Sequence, residues 1–172
     1  MMKRMVNISI LSTLLLSVAV ATEHREHGAH VHGGGTLAIA FDSLKGRVEF
    51  KAAAAGIVGF EYEVKTTKDR KTVEGAVTQF EKNITKMIQF DPALGCHFSK
   101  DKIAMQKESP QAQHADFVAN FNVTCAKSIL GSKLIVDFTS FSEMKDLDIT
   151  VLVDSLQKTA EAKSQTVTIE LQ

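Results

Sequence analysis

In TLAIAF, Leu37, Ile39 and Phe41 alternate with small residues, the period-two spacing of a half-buried strand. DSLKG (Asp42–Gly46) reads as a turn. Val48, Phe50 and Ala52 then take one face of a second strand whose other face is charged, so the two segments predict a hairpin with one buried face. GIVGFEYEV reads as a short third strand. From Lys68 to Phe90 the period lengthens. Val73, Ala76, Val77, Phe80, Ile84, Met87 and Ile88 recur at three and four residues, which predicts an amphipathic helix stopped by Pro92 and Gly95. Residues 96–106 have strand character, KESPQAQ (107–113) is a polar loop, and HADFVANFNVTC alternates again through Phe117, Ala119, Phe121, Val123 and Cys125. KLIVDF, LDITVLV and TVTIEL read as three more strands, with a short helical or turn piece over Ser140–Lys145. The pattern predicts an α+β fold: a mostly antiparallel arrangement of seven to eight strands with one long amphipathic helix packed on one face.

The N-terminus follows a different logic. Lys3 and Arg4 precede an apolar run from Val6 to Val20, and Ala19-Val20-Ala21 has the small residues of a cleavage site. That order is a secretory signal peptide. The apolar run is about 15 residues, short of the roughly 20 that a spanning helix needs. The expected organisation is a signal peptide over 1–21, a histidine-rich arm with a glycine hinge over 22–35, and one domain over 36–172. Cleavage after Ala21 leaves 18 basic against 20 acidic residues. No basic surplus remains for nucleic acid, and no other segment is apolar enough to span a membrane.

Export changes the reading of the cysteines. Cys96 and Cys125 are the only two in the chain, and in an oxidising compartment a pair is most simply a disulfide. The rival reading is a thiolate metal site with His97 beside Cys96.

Four of the six histidines fall within nine residues, in HREHGAHVH, immediately before three glycines. Neutral imidazole ligates zinc, copper and nickel. In extended chain His30 and His32 project to one side, and His24 shares their parity. In a helical turn His24 and His27 share a face. Far off in sequence, His114 and Asp116 share strand parity, so both can face one ion. If cleavage exposes Thr22-Glu23-His24, the free amine, two backbone amides and His24 also make a square-planar nitrogen set suited to copper or nickel.

HGAHVHG is similar in outline to the first-ligand motif of copper–zinc superoxide dismutases. No histidine occurs between His32 and His97, however, so a two-metal site lacks its ligands. A wider resemblance covers essentially the whole chain after residue 21. EHREHGAHVHG, TLAIAF, IVGFEYEV, a helix, ALGC, HADFVANFNVTC, KLIVDFTSF, LDITVLV and TVTIEL occur in an order that resembles the zinc-regulated ZrgA family of bacterial periplasmic proteins. The resemblance implies a periplasmic, non-enzymatic Zn(II)-binding protein that assists zinc uptake beside an ABC importer or its binding protein. It carries the metal role onto His24, His27, His30, His32, His114 and Asp116, and the disulfide onto Cys96 and Cys125. Many members carry a long His/Asp/Glu-rich tract between the cysteines. KDKIAMQKESPQAQ stands there instead, which implies one or two ions rather than a reservoir.

No Ser-His-Asp order, phosphate-binding glycine loop or carboxylate pair suggests catalysis. An exported domain that docks a transporter, with metal incidental, is the remaining class. Intact-mass analysis of the exported protein is expected to show a chain beginning at Thr22. Any other start removes the copper/nickel terminus.

Overall fold

The computed structural model describes residues 33–172. The signal peptide and His24, His27, His30 and His32 lie outside the described residues. Element order is β1 (Gly34–Asp42), β2 (Lys45–Ala53), α1 (Ala55–Val58), α2 (Thr67–Met87), β3 (Ile88–Phe90), β4 (His97–Lys107), β5 (Ala115–Thr124), β6 (Lys133–Val136), β7 (Asp146–Val153), β8 (Leu156–Ala162) and β9 (Val167–Glu170). Six strands form one sheet in the order β4-β5-β2-β1-β7-β8, and β3-β6-β9 form a second. Every pairing is antiparallel except β1 with β7.

The expected hairpin is β1–β2, with Leu37 opposite Phe50 and Ile39 opposite Val48. Leu37, Ile39 and Phe41 are buried, while Thr36, Ala38, Ala40 and Asp42 between them are exposed. The large sheet therefore has one face in the core and one polar face. From α2, Phe80 enters that core, with its ring centroid 5.1 Å from Phe50 and 5.2 Å from Phe117. Phe138 stacks on Phe50 from the chain after β6. Such ring pairs contribute about 0.5–1.5 kcal/mol each beyond their buried area.

Three elements differ from expectation. GIVGFEYEV is not a strand: Ala55–Val58 makes one helical turn, ended by Gly59 at φ 81° whose N–H donates to the Ala55 carbonyl. The alanine run before it favours helix, and the alternation in IVGFE was accidental. Helix α2 ends at Met87 rather than Phe90. Ile88 turns extended, β3 pairs with β6, and the Phe90 ring meets Phe41 at 5.6 Å. Strand β8 was not foreseen, which brings the count among the described residues to nine. LQKTAEA has no apolar alternation of its own; as an edge strand it is held by its ladder to β7. The glycines expected as a hinge are also divided. Gly34 and Gly35 already belong to β1, and only Gly33 precedes it.

Helix α2 starts with a capping box. Asp69 N–H donates to Thr66 Oγ1 at 3.1 Å, and the Asp69 carboxylate accepts from Thr66 N–H at 3.0 Å. The Thr66 backbone bond, with others from the Thr66 side chain and Lys65 N–H, holds the Asp69 carboxyl below its ordinary range. A depressed carboxyl stabilises the fold fully above its unfolded pKa and loses that contribution as pH falls through the folded value. Thr66→Ala is expected to cost about 1 kcal/mol in urea unfolding at neutral pH. The stability gap between wild type and Asp69→Asn should shrink as pH is taken below about 3.9. A gap that persists in acid would show that the Asp69 charge does not matter.

Candidate metal centre

The first described residue is also the pivot of the site. Gly33 has φ 86°, and its carbonyl accepts two bonds, from Lys145 N–H at 2.7 Å and Asp146 N–H at 3.1 Å. A Cβ there would stand 2.8 Å from the Glu143 carbonyl oxygen, so both the backbone angle and the close approach call for glycine. The chain that follows His32 is thus anchored at one end of the large sheet.

Register shows what else lies at that end. Gly35 pairs with Ala52, and Ala52 pairs with Phe117. Two strand spacings, about 10 Å, therefore separate the start of β1 from the start of β5. Asp116, next to Phe117, is only 4 % exposed and pairs with Ala53. Since Phe117 points into the core, Asp116 belongs to the polar face. Lys51 shares that face and places Nζ 3.2 Å from Asp116 Oδ2. The same ammonium bonds Glu108, in the loop after β4. The Glu108 bond first, and Asp116 behind it, hold Lys51 above its ordinary pKa.

His114 lies one residue before β5. Its Nδ1 is 2.6 Å from Glu61 Oε1, and Ala115 N–H donates to the Glu61 carbonyl. Glu61 follows α1, whose first turn is tied to β5 by the Ala54 N–H bond to the Ala115 carbonyl. The segment after α1 is thereby folded back over the start of β5. A carboxylate on one imidazole nitrogen fixes ring orientation and leaves the other nitrogen for a ligand.

On the other side of β1 stands a group that sequence reading did not single out. One carboxylate oxygen each from Asp146, Asp148 and Glu161 lie within 4.8 Å of one another. Asp148 pairs directly with Glu161, and Asp146 shares the face of Asp148. Burial, then the Glu161 charge, push the Asp146 carboxyl above its ordinary range. Its Oδ1 is buried without a hydrogen-bond partner among the described residues. The D-x-D spacing of Asp146 and Asp148, at the start of DLDITVLV, was the available signal. Glu161 had none, because β8 was not recognised. Glu61 and Lys51 likewise carry no spacing signal: one follows α1 outside any strand, the other reads as an exposed strand charge.

The cysteines lie elsewhere. Cys96 and Cys125 form a disulfide, and His97 opposite Thr124 is exposed. Along β5, Thr124 is eight residues from Asp116, so about 26 Å of strand separates the two ends. A thiolate site with His97 is thus excluded by the disulfide. A groove of about 270 Å³ between α2 and the chain after β6 is lined by Gln79, Asn83, Lys86 and Asp137 among others, with no histidine or cysteine.

Residues 29–171 match the ZrgA family zinc uptake protein. The chain belongs to the ZrgA family. The match takes in His30, His32, His114 and Asp116, and leaves His24 and His27 before it. No curated protein matches the sequence. A zinc uptake family and a disulfide together fit an exported protein. No helix among the described residues is long and apolar enough to cross a membrane.

Separation of the two sheet ends has a testable consequence. Replacing both Cys96 and Cys125 by alanine is expected to cost about 3–4 kcal/mol of stability through the reopened loop. Zinc affinity of the folded variant should be unchanged. A matching loss of affinity would mean that the ends are coupled.

Proposed function

We propose that this ZrgA family member is a non-enzymatic periplasmic protein that captures single Zn(II) ions and passes them to a zinc ABC importer or its binding protein. The ligands proposed are the arm histidines, His24, His27, His30 and His32, with His114 and Asp116 on the folded body. The observation that carries this reading is the anchoring of Gly33 at the sheet end that holds Asp116, His114 and Glu61. Covalent geometry places the His32 Cα about 3.8 Å from that of Gly33 and lets His30 lie up to about 10 Å from it. That span equals the two strand spacings to β5, so the H-x-H pair is tethered within reach of the body residues.

The donor set suits zinc. Imidazole and carboxylate are both common zinc ligands, and three protein ligands with an open position are enough for an ion that must later leave. Glu61 orients His114 by its bond to Nδ1, so that Nε2 is the nitrogen offered. Capture then orders the arm against the sheet end. Release is by ligand exchange onto the partner. Export through the signal peptide, cleaved after Ala21, puts the protein where that ion is scarce.

Tyr62 is the single tyrosine, and the chain has no tryptophan. It follows Glu61 and stacks on Phe60, so its fluorescence reports on the proposed site without a label. Titration with Zn(II) should give saturable binding of one or two ions in calorimetry, with a change in Tyr62 emission. A variant lacking His24, His27, His30 and His32 should lose that binding, and Asp116→Asn should weaken it. Affinity should fall steeply as pH drops through about 6.5, because only neutral imidazole ligates. Equal binding by the four-histidine variant would move the site off the arm, and pH-independent affinity would count against histidine ligation altogether.

A further inference from the structure

We infer that Lys51 is a built-in competitor for the metal: its ammonium holds Asp116 in the metal-free protein and is displaced onto Glu108 when the ion binds. The inference rests on Asp116 being a ligand, as proposed above. The geometry is specific. Asp116 is almost fully buried, and a buried carboxylate needs a cation or donors beside it. Lys51 Nζ stands 3.2 Å from Asp116 Oδ2, so an ammonium already occupies ground at which a metal would approach that oxygen. The lysine reaches there diagonally. Lys51 pairs with Val118 while Asp116 pairs with Ala53, two residues along, and the long stem bridges the offset.

The second partner makes the displacement affordable. Glu108 bonds the same ammonium from the loop between β4 and β5. When a divalent ion takes Asp116, Lys51 keeps Glu108, so its charge is not stranded against the sheet. Its side chain is 44 % exposed, which gives the freed head group water as well.

Three effects then act with one sign. The ammonium competes for Asp116, it repels the incoming cation, and it neutralises a carboxylate that would otherwise attract that cation more strongly. Lys51 therefore lowers zinc affinity. It also recaptures Asp116 as the ion departs, which speeds release. For a protein that must give up its cargo, a ready intramolecular replacement keeps the buried carboxylate from becoming a trap.

The test uses the full chain and a chromophoric zinc chelator as competitor. Affinity and release rate are measured for wild type, Lys51→Met, Lys51→Arg, Asp116→Asn and the Lys51→Met/Asp116→Asn pair. Lys51→Met is expected to bind Zn(II) about tenfold more tightly and to release it more slowly, while Lys51→Arg stays near wild type. The gain should vanish in the Asp116→Asn background, since it acts through that carboxylate. Lys51→Gln should repeat the gain and serves if the methionine variant folds poorly. Unchanged or weaker binding by folded Lys51→Met and Lys51→Gln overturns the inference and makes Lys51 a structural counter-ion. If Asp116→Asn weakens binding and the lysine variants do nothing, only this inference falls. If Asp116→Asn binds like wild type, Asp116 is not a ligand: this inference falls, and the proposed ligand set loses Asp116, while zinc capture by the histidines is decided by the four-histidine variant.

Discussion

The parallel ladder between β1 and β7 is the constraint on which the remaining geometry depends. Its eight paired positions run from Gly34 opposite Asp146 to Phe41 opposite Val153. Parallel strands cannot be joined by a tight turn, so the intervening chain has to travel the length of the sheet and return. Helix α2, the disulfide and two strands of the second sheet, β3 and β6, lie within that excursion, while β9 follows β8. The ladder starts where the Gly33 carbonyl collects two N–H groups from Lys145 and Asp146. A side chain at residue 33 would collide with the Glu143 carbonyl and strain the backbone. One glycine thus determines where β1 joins the sheet.

From that anchor the charges distribute by register. On one side of β1 stand Lys51, Asp116, His114 and Glu61; on the other stand Asp146, Asp148 and Glu161. All are at or near the end of the sheet at which β1 begins. The core face beneath them carries phenylalanine rings that pack against one another. The disulfide sits at the far end, joining the start of β4 to the end of β5. Stability and proposed chemistry are thereby separated along the strands.

Much of the frame was legible locally. Period-two alternation in TLAIAF and in the Phe117–Cys125 segment, and the three-four recurrence through Phe80, are direct consequences of burying one face of a strand or helix. The capping box at Thr66 and Asp69 is equally local, but the sequence reading began the helix at Lys68 without it. Boundaries were less legible where tertiary pairing overrode propensity. Ile88–Phe90 continues the helical pattern but is drawn into a sheet by β6, and β8 exists because β7 offers an edge.

The site divides in the same way. Residue type and spacing alone made the N-terminal histidines, the cysteine pair and the His114-Ala115-Asp116 tripeptide candidates, because imidazole, thiol and carboxylate have intrinsic affinities that composition reveals. Which of them share a place was decided only by the fold. Cys96 with His97 was a rival, less favoured site in sequence, and the disulfide closes it while strand length carries it to the opposite end. Glu61, Lys51 and Glu161 look like ordinary surface charges in the chain. They gain their meaning from partners 53, 65 and 13 residues away, at His114, Asp116 and Asp148. Local sequence determines the period of each element and the chemistry of each side chain. Cross-strand register and the return of β7 beside β1 determine which of those side chains meet, because such contacts depend on long-range pairing that no short window contains.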